Sequence, residues 1–137
     1  MGYTSNVTIV ANKVVFDMLK PFLEENKPIV YCHTVEKPCV DAFSRLMARP
    51  TEVLYELKWL SCNWYSSYDY VEQIMKVLET LLNTKDTDLL DSVYFTYLRV
   101  GEDATDVEYY TQGLSRGVVP ATTLVMPLSE KISKLDI

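Results

Sequence analysis

The chain has 137 residues, of which 48% are hydrophobic and 23% are charged, and its formal net charge is −6. This size and composition are typical of one ordinary globular domain and exclude an intrinsically disordered chain. An odd number of cysteines argues against a secreted disulfide framework, so we expect a reducing compartment with Cys32, Cys39 and Cys62 as packing residues. No stretch predicts a signal peptide or a membrane span, and we therefore expect a soluble, cytoplasmic protein that does not bind membranes.

The negative charge is concentrated in one part of the chain. Residues 84–110 contain seven acidic and two basic residues, a net charge of −5, whereas the remainder is nearly balanced. Nucleic-acid binders need a cationic surface that displaces counterions from phosphate, so this distribution argues against direct binding of a DNA or RNA backbone. A partner protein with a basic surface is the better electrostatic match.

The chain begins with a predicted strand and helix. Residues 3–10 are rich in β-branched side chains and predict a first strand. Asn12 can cap a helix that starts at Lys13 and continues with the apolar spacing of one buried helical stripe. Because an interior proline removes a hydrogen bond, Pro21 predicts that this helix either kinks or stops at Leu19 and restarts.

The next part of the chain is ambiguous. Residues 28–32 predict either a short strand or an extended connection, residues 33–38 a loop, and residues 40–48 a short helix. We therefore treat residues 31–50 as a candidate insertion in the domain.

Two elements in the middle of the chain have clear patterns. Residues 51–59 alternate between apolar and polar side chains, which predicts a strand with one buried and one partly wet face. Ser66 or Ser67 is then predicted to cap a helix over residues 68–82. A polar linker over residues 84–91 follows this helix.

The chain next forms a predicted hairpin. Residues 92–100 and 106–111 are its strands, and residues 101–105 form the turn, in which Gly101 is expected to supply a positive φ. A last edge strand is predicted over residues 122–126.

These elements predict a single α+β domain over residues 1–137. A four- or five-stranded antiparallel or mixed sheet, with two main helices packed on one face, satisfies the apolar patterns of all the elements. An uncovered edge strand and the many aromatic residues are also compatible with a homodimer.

The first candidate site is a group of four carboxylates in and beside the hairpin turn: Glu102, Asp103, Asp106 and Glu108. Such a group can contact a basic partner, bind a hard cation or carry acid and base chemistry, although its spacing does not match a calcium-binding loop. On the two-residue period of a strand, Asp106 and Glu108 share one face and can oppose Arg99. The pattern therefore allows both a partner-binding surface and a plain ion-paired edge.

The second candidate site is aromatic and consists of Trp64, Tyr65 and Tyr68, which can form either an exposed patch or plain packing at the edge of the core. Tyrosine and tryptophan bury a large area at small entropic cost, so they are favoured at interfaces as well as at the edge of a core. The same three residues could instead form a small-ligand pocket, with Arg99 holding an anion such as a nucleotide phosphate.

No complete catalytic, nucleotide-binding or metal-binding motif is found in the sequence. Its one histidine, His33, follows Cys32 on a chain expected to be extended, where adjacent side chains point to opposite faces. Neither a zinc site nor a cysteine nucleophile is therefore predicted. We expect no cofactor, no metal and no enzymatic activity, and a hydrolase that uses Glu102 and Asp103 ranks last among the alternatives.

Three separate stretches of the sequence are distinctive. They are MGYTSNV at residues 1–7, KW at 58–59 followed by WYSSY at 64–68, and RVGED at 99–103 followed by DVE at 106–108. Together they resemble a group of small, poorly characterised accessory proteins encoded by bacteriophages. The resemblance carries over no catalytic residue. It implies a protein of the host cytoplasm that modulates or inhibits a host protein, such as a host defence factor.

Overall fold

The computed structural model describes residues 2–36 and 51–112. Its elements in chain order are β1 (Ser5–Asn12), α1 (Lys13–Leu19), a 3₁₀ turn (Lys20–Phe22), β2 (Ile29–Glu36), β3 (Thr51–Cys62), α2 (Asp69–Asn83), α3 (Thr87–Ser92), β4 (Phe95–Gly101) and β5 (Val107–Gln112). The five strands form one antiparallel sheet in the order β2-β3-β1-β4-β5. The predicted α+β class is thereby confirmed. The predicted helix over residues 40–48, the predicted strand over residues 122–126 and Cys39 lie outside the described residues.

One face of the sheet packs against α1 and α2 and forms the main core. β1 is the central strand, and its alternate residues Val7, Ile9 and Ala11 are fully buried against the helices. Fully burying a side chain such as valine or isoleucine contributes about 1.5–3 kcal/mol. The core residues that join these three from other elements include Leu19, Leu57, Trp59, Ile74, Leu78 and Phe95.

The first helix starts where the sequence predicts and ends at one of the two predicted alternatives. The Asn12 side-chain oxygen accepts a hydrogen bond of 3.2 Å from the backbone N–H of Val15, which confirms the N-cap. α1 ends at Leu19, and Pro21 lies in the 3₁₀ turn that follows. Of the two predicted alternatives, the one in which the helix stops before the proline is correct.

β2 is longer than the sequence indicates. It extends to residue 36, and its register pairs Val30 with Leu57 and His33 with Leu54 of β3. The loop predicted from residue 33 is therefore wrong as far as residue 36. Residues 31–36 belong to the sheet because β3 is long enough to pair with all of them, which the local pattern of β2 does not reveal.

The helix predicted over residues 68–82 is confirmed as α2, but its predicted cap is wrong. The N-cap is Tyr68, whose side chain makes no capping hydrogen bond. The segment predicted as a linker contains α3, which begins because Asp86 Oδ1 accepts hydrogen bonds from the N–H groups of Asp88 and Leu89, at 3.0 and 3.3 Å. None of the described helices is long and apolar enough to cross a membrane.

A bulge bends β3 near its end. β1 and β3 pair Val7 with Trp59 and Ser5 with Cys62, so β3 has one more residue than β1 in this interval. Ser61 lies in the bulge with a φ of 49°, and its N–H donates to Asn6 Oδ1 at 2.8 Å. The bulge directs the chain after Cys62 toward the end of the sheet where the β4–β5 turn lies.

Candidate functional site

The face of the sheet that points away from α1 and α2 carries a buried charge cluster, formed by His33, Glu56 and Lys58. Glu56 is 0% exposed and Lys58 is 1% exposed. His33 Nε2 lies 3.0 Å from Glu56 Oε1, and Lys58 Nζ lies 3.5 Å from Glu56 Oε2. Lys58 Nζ also lies 3.5 Å from Thr8 Oγ1 on β1. The prediction of a partly wet face on β3 is therefore wrong.

The sequence does not predict the buried charge cluster, because each of its three residues also fits a position exposed to solvent. A buried charge is expensive unless it is paired, so alternating Glu and Lys normally indicate an exposed face. One residue in the sequence does indicate burial of this face: Leu54 is apolar and lies on the same face as Glu56 and Lys58. Because the three side chains are buried and pair with one another within the sheet, we interpret the cluster as structural.

In the hairpin, Arg99 neutralises two of the four predicted carboxylates. Its Nη2 and Nη1 donate to the two oxygens of Asp106 at 2.7 and 3.2 Å, and its Nε donates to Glu108 Oε1 at 2.7 Å. Nη1 also donates to Ser5 Oγ at 3.0 Å. The guanidinium bonds hold the pKa of Asp106 below its ordinary value of 3.8. The ion-paired edge that the sequence allows is confirmed.

The turn itself is held by its own polar groups. Asp103 Oδ1 accepts from the N–H and the hydroxyl of Thr105 at 2.9 and 2.8 Å, and these bonds lower the pKa of Asp103. The φ of Gly101 lies outside the left-handed region, so the predicted positive φ is wrong. Glycine suits this position because a Cβ would collide with the Tyr3 hydroxyl and with Asp106 Oδ2 unless these side chains moved.

The N-terminal residues 2–4 connect the turn to the aromatic site. The Tyr3 hydroxyl donates to Asp106 Oδ2 at 2.7 Å, and the backbone N–H of Thr4 donates to Glu102 Oε2 at 2.6 Å. Gly2 lies against the hydroxyl of Tyr65. No local pattern predicts these contacts, because each joins residues that are more than sixty positions apart in the chain.

The three predicted aromatic residues do not share one environment. Trp64 is buried, with its ring centroid 4.9 Å from that of Trp59 and 5.8 Å from that of Tyr70. For Trp64, the alternative of plain packing is therefore correct and that of an exposed patch is wrong. Tyr68 is exposed and Tyr65 is half-buried, and their ring centroids lie 5.3 Å apart.

The geometry does not favour the alternative small-ligand pocket. Four of the five N–H groups of the Arg99 guanidinium donate hydrogen bonds within the protein, and two carboxylates already pair with its charge, which disfavours its use as an anion contact. Trp64 belongs to the core, where its ring packs against those of Trp59 and Tyr70. Elsewhere, a largely apolar cavity of about 280 Å³ lies among the helices, lined by Met18, Gln73, Lys76, Val77, Thr80, Leu81 and Leu89.

Within residues 2–36 and 51–112, no group of three or more His, Cys, Asp or Glu side chains is placed to hold a metal ion. Comparison of the chain with protein-family models, with curated proteins and with solved structures finds no match.

Proposed function

We propose that this protein is a non-enzymatic binding module that contacts a basic surface of a partner protein. The contact is made by the tyrosine–acid surface, which we define as Tyr3, Tyr65, Tyr68, Glu102 and Asp103. The observation that carries the proposal is that these side chains come from three separate segments, meet at one end of the sheet and leave Tyr3, Tyr68 and both carboxylates exposed.

The surface is preorganised by contacts within the chain. Tyr3 is fixed by Asp106, Glu102 by Thr4, and Asp103 by Thr105. Side chains that are already ordered lose little conformational entropy on binding, and tyrosine adds a large contact area with few rotatable bonds. Such a surface suits recognition of a protein better than chemistry on a small substrate.

Charge gives the partner's chemical class. Arg99 compensates part of the charge of Asp106 and Glu108, so these two residues, which were also predicted to contact the partner, act mainly by holding the turn. Glu102 and Asp103 remain exposed without a basic partner among the described side chains. A cationic patch rich in Lys or Arg is the complement of this pair. With the resemblance to phage accessory proteins, the proposed partner is a host protein whose activity is modulated or inhibited.

The test is affinity capture from host lysate with a charge-matched control. The E102K/D103K variant reverses the exposed pair, whereas the control E25K/E79K makes the same net change at exposed positions elsewhere. We expect the first variant to lose the captured protein and the control to retain it, with capture by the parent protein decreasing as salt is added. Equal capture by both folded variants would show that the tyrosine–acid surface does not bind the partner.

A further inference from the structure

β5 is the last strand of the sheet in the described part of the chain, and its hydrogen-bonding geometry can be assigned residue by residue. The N–H of Gly101 donates to the carbonyl of Asp106 at 2.8 Å, so this pair faces across the hairpin. In an antiparallel pair the inward-facing residues alternate, and Glu108, two positions further, also faces β4. The β5 residues whose N–H and C=O groups point away from β4 are therefore Val107, Tyr109 and Thr111.

This edge lacks the features that usually prevent strand association. Val107 is 49% exposed and Tyr109 is 56% exposed, although both are large and apolar or aromatic. β5 contains no lysine and no proline, which native edge strands commonly use against pairing. Its one charged residue, Glu108, is paired with Arg99, so the edge carries little uncompensated charge.

We propose that two copies of the chain associate through β5, antiparallel, with the two-fold axis at Tyr109. Residues opposite each other in such a pair must lie on the same face of the joined sheet, and this register meets that condition. Val107 then lies opposite Thr111 of the second copy, and all three outward-facing residues of each strand find a backbone partner. The two five-stranded sheets become one continuous sheet.

The charges along β5 do not oppose a second copy at this edge, and the strand is complementary to itself in this register. In the register centred on Tyr109, Glu108 lies opposite Tyr110 of the other copy, so no two carboxylates oppose each other. The contact is isologous, because the same residues of both copies form it. The outward-facing N–H groups of each strand bond to the C=O groups of the other. Pairing of one short strand buries less area than a standard stable interface, so the dimer is weak and depends on concentration.

The mass of the purified protein in solution tests the proposal. Sedimentation velocity from about 1 µM to about 1 mM should show a mass that rises toward twice that of the monomer. Y109K places a charge at the centre of the pairing and should weaken association at least about tenfold. V14K alters a side chain of similar exposure, 41%, on α1 and should associate like the parent. A parent protein that stays monomeric over this range overturns the proposal. Association that V14K weakens as much as Y109K does overturns it as well.

A cysteine variant tests the register even if Y109K folds poorly. Hydrogen-bonded antiparallel neighbours have Cα atoms about 5.5 Å apart, within the range that a disulfide spans. We expect Y109C to form a covalent dimer under mild oxidation, and V14C and the parent protein to remain largely unlinked. Linkage of V14C to the same extent, or no linkage of Y109C at a concentration where the parent is dimeric, would contradict pairing centred on Tyr109.

Discussion

Glu56 and Lys58 lie two positions apart on β3, and their charged groups are 3.5 Å apart on a face of the sheet where neither is exposed to solvent. Residues two positions apart on one strand point to the same face of the sheet. Their long side chains come close to each other only if both lie along the sheet surface. Here Thr8 of the neighbouring strand and His33 of β2 flank the pair. The position of a carboxylate and an ammonium group is thus fixed across three strands.

Removing the ammonium group should be strongly destabilising. In K58M the Glu56 carboxylate stays buried without its countercharge, and breaking a buried pair in this way costs about 3–5 kcal/mol of unfolding free energy. The double variant E56Q/K58M leaves neither charge of the pair buried. Its loss of unfolding free energy should therefore be much smaller than the sum of the losses in E56Q and in K58M. Urea unfolding of the parent, E56Q, K58M and the double variant gives the coupling free energy between the two groups. Strict additivity would show that the two groups do not stabilise each other.

Local patterns in the sequence were sufficient for part of this fold. The Asn12 cap, α2 and the hairpin depend on residues close together in the chain, and the sequence predicts each of them. The stop before Pro21 is one of the two alternatives that the proline allows. The pairing of Glu56 with His33 is not predicted, because it requires β2, whose length is set by pairing with β3 rather than by its own pattern.

The candidate site shows the same division. Pairing of Arg99 with Asp106 and Glu108 follows from strand periodicity within one hairpin, and the sequence indicated it. The contact between Tyr3 and Asp106 spans 103 positions and closes only when β1 lies beside β4. Neither segment has a local pattern that predicts this contact. The role of the N-terminal residues is therefore seen only in the structure.

Space at Gly101 should limit substitution. The added methyl group of G101A would lie 2.8 Å from Tyr3 Cε1 and would also collide with the Tyr3 hydroxyl, so we expect a loss of about 1–3 kcal/mol of unfolding free energy. Since Tyr3 is the main obstacle, Y3A/G101A should be more stable than the sum of the two single effects predicts. Thermal and urea unfolding measure this difference. A G101A protein as stable as the parent would show that the turn adjusts without cost.

Acid should weaken the hairpin in a defined pH range. Hydrogen bonds from Arg99, and then from Tyr3, lower the pKa of Asp106 in the folded protein below its ordinary value of 3.8. The folded state then binds fewer protons than the unfolded state, so this contribution is complete above 3.8 and is lost as the pH falls through the lower, folded pKa. Urea unfolding between about pH 6 and about pH 2 should show a smaller acid-induced loss for R99M than for the parent. Y3F, which removes only the weaker of the two causes, should lie between them, and identical pH profiles for all three proteins would contradict this assignment.

The thiol of Cys62 should react slowly in the folded protein. Burial raises its pKa from 9.0 to about 11, because the thiolate is poorly solvated at the end of β3. The reactive species is the thiolate, so near pH 8 the raised pKa lowers the thiolate population, and with it the alkylation rate, about 100-fold. Any stability that the neutral thiol contributes is complete below pH 9 and is lost as the pH rises toward 11. Iodoacetamide labelling followed by peptide mass spectrometry measures the rate at Cys62 separately from the other cysteines, with the urea-unfolded protein as the reference. Equal labelling rates in the folded and unfolded protein would show that the thiol is not protected at the end of β3.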